Sequence, residues 1–193
     1  EAYGTILITS APTDPAAASH GDLNLALRGY APTEASGDLI DLAGGSDPGA
    51  PQLRWLFGDR REPAITGAYQ VYGWDWGVNA RGSLIPDPEV TLLGLSTTPG
   101  EVISLPAGGS DMGEGRRALV LYASPERITV KYTPDDNVVS GYTVHIENVC
   151  VEPGLLALYE QMNDAGRGAL PALRPGQPLG RATGSELGVV VRD

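Results

Sequence analysis

Apolar and polar residues alternate over several short stretches of this chain. In Arg127–Thr133, Ile128, Val130 and Tyr132 fall on one face of a strand and Thr129 and Lys131 on the other. In Gly141–Val149, Val144 and Ile146 share one face, with Thr143, His145 and Glu147 opposite. Apolar or β-branched runs between turn residues predict further strands at Gly4–Ser10, Leu23–Tyr30, Ala68–Trp74, Glu89–Leu95, Glu101–Leu105, Arg117–Ala123 and Leu187–Arg192. Gly and Pro punctuate the chain about every 8–12 residues, the spacing of an all-β sandwich or barrel. One segment has a clear helical rhythm. Pro153 suits a first turn, Leu155, Leu158, Tyr159 and Met162 recur at three and four residues, and Asn163-Asp164-Ala165-Gly166 offers a stop. A shorter helix is compatible with Pro51–Phe57.

The expected fold is mainly β, with two packed β-rich halves that meet near Thr97-Thr98-Pro99-Gly100. Residues 1–98 carry loops such as Ala11–Ser19 and Gly44–Pro51, rich in Ala, Pro, Gly, Ser and Asp. In residues 99–193 the hydrophobic pattern tightens. Each half is near the lower limit of domain size, so packing together is expected rather than independence.

Composition narrows the function classes. The 193 residues hold 24 acidic and 13 basic side chains, for a net charge of -11. Such a surface repels phosphate backbones, so nucleic acid is not an expected partner. No apolar run reaches the roughly 18–20 residues of a membrane-spanning helix, and none with a basic flank opens the chain. The first residue is Glu1, not Met, which suggests removal of an N-terminal piece by processing or cloning. That feature, the acidic charge and the Pro-, Gly-, Ser- and Thr-rich loops lean towards a secreted or cell-surface protein. Twelve Arg against one Lys, with only nine Asn and Gln and 16 Pro, fit a heat-tolerant protein and equally a GC-rich genome. The single cysteine, Cys150, rules out an internal disulfide framework. It is expected to pack as a small apolar residue, with a reactive thiol as the alternative.

The second half carries a family likeness. It lies in Leu121-Tyr122-Ala123-Ser124-Pro125-Glu126-Arg127-Ile128, Gly141-Tyr142-Thr143-Val144-His145-Ile146-Glu147, Leu158-Tyr159-Glu160-Gln161-Met162, Gly176-Gln177-Pro178-Leu179-Gly180 and Gly184–Arg192, in that order. This order resembles the lysostaphin-type zinc peptidoglycan endopeptidases over nearly half the chain. The likeness implies a small barrel-like sandwich, with Asp111 beside Gly188 or Val189 of the final strand. Their metal site does not carry over. Asp111 stands where the family has an aspartate ligand, but the histidine positions are occupied by Ala107, Gln161 and the histidine-free Glu186-Leu187-Gly188-Val189. Zinc hydrolysis needs three protein ligands and an open position. The resemblance therefore implies a fold kept without its metal, as in degenerate members that bind without cutting, and no cofactor is expected.

Other residues offer chemistry of their own. His20, Asp22, His145 and Glu147 could form a relocated two-histidine, two-carboxylate metal site. The plainer reading is a loop histidine and a surface strand position. Asp135-Asp136 and Asp87/Glu89 are acidic pairs, expected to be solvated turns rather than glycosidic acid–base pairs. Tyr72, Trp74 and Trp76 fall at two-residue spacing, so a straight strand would align them as a platform for sugar rings or a protein partner. Buried, they would be core. The leading expectation is a non-catalytic binding module for a cell-wall polymer, another glycan or a protein partner, with Tyr72, Trp74, Trp76 and Asp111 as its candidate binding residues. The alternatives are a metal-dependent hydrolase using the relocated site, and a structural subunit of an extracellular assembly.

Overall fold

A computed structural model describes residues 2–37 and 47–193. Glu1 and residues 44–46 of the Gly44–Pro51 loop lie outside the described residues. The described strands are β1 (Gly4–Leu7), β2 (Tyr30–Pro32), β3 (Ile65–Asp75), β4 (Ala80–Leu84), β5 (Leu92–Ser96), β6 (Val102–Ser104) and β7 (Ala118–Ser124). They continue with β8 (Arg127–Lys131), β9 (Thr143–Glu147), β10 (Val149–Val151), β11 (Ala169–Leu173), β12 (Pro178–Ala182) and β13 (Glu186–Arg192). Two α-helices, α1 (Leu25–Arg28) and α2 (Pro153–Asp164), join them. The protein is mainly β.

Ten strands form one sheet in the order β1-β11-β7-β8-β9-β13-β5-β3-β2, with β4 paired to β3; β10, β12 and β6 form a second. The last strand, β13, lies between β9 and β5, and β1 pairs with β11, so the large sheet crosses residues 97–100 of the sequence at two pairings. No helix among the described residues is long and apolar enough to cross a membrane.

The middle of the large sheet is covered on both faces. Ile128, Ile146 and Val189 are register partners across β8, β9 and β13, and all three are buried. They join a core with Leu119, Leu121, Leu155 and Leu170. Burial of each such side chain is worth roughly 1.5–3 kcal/mol. The opposite face carries Lys131, Thr129, Thr143, His145 and Glu147, which are buried too. Thr129 donates to the carbonyl of Leu23 at 2.7 Å, which ties the chain after Ala17–Ser19 over this face.

Several expected elements change form. Leu23–Tyr30 is not one strand. The Asn24 side chain accepts from the Ala26 amide and starts α1, and Gly29 ends it at φ 70°, a conformation that favours glycine. Only then does β2 begin. Gly141–Val149 divides into β9 and β10 at Asn148, whose φ is 62°, a left-handed value that Asn tolerates better than most residues. Pro51–Phe57 contains a short 3-10 turn, Leu53–Leu56. The helix from Pro153 forms, with Leu155 and Tyr159 turned inward. Strands β4, β11 and β12 were not expected. The last of these follows directly on Gly176-Gln177, and Gly180 in it approaches the Cys150 carbonyl so closely that a Cβ would lie 2.2 Å from it.

Candidate functional site

The β3–β4 hairpin holds the aromatic candidates. Trp74 and Trp76 have ring centroids 6.4 Å apart and meet edge to face at 72°. His20, from the loop before α1, joins them: its ring is 5.1 Å from Trp76 at 66°. Trp74 lies flat over Gly21, where a Cβ would come within 2.5 Å of the indole, and its Nε1 donates to Asn79 at 3.2 Å. Gly21 therefore lets the loop pass under the hairpin. Trp74 is half-buried by this contact, and Trp76 is 50% exposed. The Arg81 guanidinium sits 5.1 Å from the Tyr72 ring. The β3–β4 register shift falls on β4, where Leu84 to Arg81 faces Tyr72 to Trp74, so the two-residue spacing of Tyr72 and Trp74 along β3 is kept. The other nearby aromatics are separate: Phe57 is wholly buried, and Trp55 stacks with Arg60 at 3.8 Å.

The same loop brings His20 and Asp22 to the polar face of the sheet, but not as metal ligands. Asp22 accepts from Arg28 at 2.6 Å and Arg192 at 3.2 Å. Glu147 accepts from Arg127 Nε with both oxygens, at 3.0 and 3.2 Å. Burial raises the Glu147 pKa, against the pull of Arg127 and of the Tyr30 hydroxyl. His145 is not at the surface. Its Nδ1 is 3.0 Å from Thr129 Oγ1, whose own proton is directed to Leu23, so the imidazole donates from Nδ1. Nε2 is then an acceptor, buried without a partner, as is the nearby Thr143 hydroxyl. Burial, with Arg192 and Arg28 adding to it, pushes the His145 pKa down to about 3. Among the described residues, no group of three or more His, Cys, Asp and Glu side chains is placed to hold a metal ion. Each carboxylate of the expected quartet has a guanidinium partner instead.

Asp111 lies elsewhere. Its Oδ1 accepts from the Gly113 and Gly115 amides at 2.8 and 3.0 Å, closing a local turn. It borders a shallow groove of about 650 Å³ with Ile6, Leu7, Tyr132 and Thr133. Gly188 is registered through Glu147 with Arg127, at the opposite end of β8 and two strands across. The expected neighbourhood of Asp111 and Gly188 therefore does not form.

Two plain expectations are also corrected. Asp136 is no solvated turn: it is buried and accepts from Arg167 Nε and Nη2 at 2.7 and 2.8 Å. Arg167 directs its remaining donors to Leu121, Tyr159 and Asn163. Cys150 is exposed on β10 rather than packed inside. Sequence reasoning missed the place of His20 in the aromatic cluster; its only signal was the small Gly21 beside it, which permits close approach.

In comparisons with known proteins, no family, curated protein or solved structure matches this chain.

Proposed function

We propose that the chain is a non-catalytic binding module, secreted or held at the cell surface, that grips a glycan or cell-wall polymer through the β3–β4 hairpin. The observation that carries the reading is Trp76, half exposed and braced edge-on by Trp74 and His20. A large indole held between two rings, with half of its surface in solvent, loses little side-chain freedom when a sugar ring packs on it. The order of motifs alone, without the Asp111–Gly188 neighbourhood it implied, makes cell-wall polymer the first ligand to try. Retention on peptidoglycan sacculi, chitin and cellulose tests the reading. Trp76→Ala should abolish retention while the melting temperature stays within a few degrees, because the side chain is half in water. Equal retention of the variant, or no retention of the wild type on any of the three, overturns it.

A second reading, a structural subunit of an extracellular assembly, is favoured by one observation. Strand β1 ends the large sheet and carries Leu7, which is 80% exposed. An edge strand with an exposed apolar side chain is a template for pairing with another chain.

A further inference from the structure

The ring of His20 does more than brace Trp76. The Asp22 amide donates to His20 Nδ1 at 3.1 Å, so Nδ1 is the acceptor of the neutral ring and its proton sits on Nε2. That Nε2 has no hydrogen-bond partner among the described residues, and, unlike Nε2 of His145, it is not sealed from solvent. A fixed N–H donor is therefore carried by the ring packed against half-exposed Trp76, at the end of a loop held by the Asp22 pairs to Arg28 and Arg192.

We infer that the ligand is a neutral glycan whose pyranose ring stacks on Trp76 while one of its oxygens accepts a hydrogen bond from His20 Nε2. The inference rests on the binding reading above and names the class of ligand. Three features select that class. The rings of His20, Trp74 and Trp76 touch edge to face at 5.1 and 6.4 Å, which leaves no slot between them for a caged ammonium group, and a donor at the rim repels one. A net charge of -11, with exposed Asp75 next to Trp76, disfavours polyanions such as phosphate-rich wall polymers. A pyranose offers both of the complements needed: an apolar face of C–H groups for the indole and ring or hydroxyl oxygens for the N–H.

Calorimetric titration with chitohexaose and cellohexaose separates the parts, using wild type, Trp76→Ala, His20→Phe and His20→Gln. Phe keeps a ring against Trp76 and removes the donor; Gln keeps an N–H donor. At least one hexasaccharide should bind the wild type, and Trp76→Ala should bind neither. His20→Phe should bind about 3- to 10-fold more weakly, the effect of one hydrogen bond, and His20→Gln should recover most of the loss. A His20→Phe protein that binds like the wild type overturns the donor inference and leaves the Trp76 reading intact. Wild-type binding to neither hexasaccharide overturns the neutral-glycan inference, whereas retention on the insoluble polymers decides the broader reading separately.

Discussion

His145 should make this protein lose stability in mild acid. Its ring is buried in the sheet, donates from Nδ1 to Thr129, and has no room for a charged form. The pKa falls from about 6.5 in the unfolded chain to about 3 in the fold. As pH drops, the unfolded chain therefore takes up the proton first. The stability that neutral His145 contributes is fully present above pH 6.5 and is lost as pH falls from there towards 3. The whole difference amounts to about 5 kcal/mol, and about 2 kcal/mol of it is already gone at pH 5. For a chain of this size, the pH 5 loss corresponds to a drop in melting temperature of roughly 4–8 °C. Urea unfolding at a series of pH values, on wild type and His145→Gln, isolates the effect because the other titrating groups are common to both. The wild type should lose about 2 kcal/mol more than the variant between pH 8 and pH 5. Parallel profiles over that range would refute the reasoning and mean that the ring is hydrated or charged inside the fold.

Two other expectations follow from buried and edge features. Asp136→Asn leaves the Arg167 charge inside the protein and should cost about 3–5 kcal/mol in urea unfolding, whereas Asp136→Leu with Arg167→Met should recover much of that; a double variant as unstable as the sum of its parts contradicts the pairing. On the assembly reading, sedimentation at rising concentration should show growth that Leu7→Lys abolishes, and a wild type monomeric throughout removes that reading.

Local chemistry made much of the β framework legible. The alternation in Arg127–Thr133 and Thr143–Glu147 needs no partner to be read, because side chains two apart in a strand always share a face. Pro153 followed by 3-4-3 apolar spacing likewise marks α2. Boundaries fared worse where a single residue outweighed its neighbours. Asn24 and Gly29 carry the start and stop of α1, signals that the apolar residues around them obscured. Pro171 stands within β11, but that strand pairs with β7 only through Ala172 and Leu173, so the missing amide interrupts little of that ladder.

The sequence by itself determined which residues could alternate, turn, stack or carry charge. It thus determined a mainly β chain with one long helix and an aromatic-rich strand. Only the tertiary structure decided what lay on the far side of each strand. Polar residues opposite an apolar face read as solvent-facing, but the loop through Leu23 covers β8 and β9 and buries His145 and Glu147 among guanidinium and hydroxyl partners. The candidate site was divided in the same way. Two-residue spacing along β3 is a property of the chain and covers Tyr72 and Trp74; the turn after Asp75 brought Trp76 against Trp74, and a loop more than fifty residues away supplied His20. Such contacts depend on chain reversals summed over many residues, so no local pattern records them.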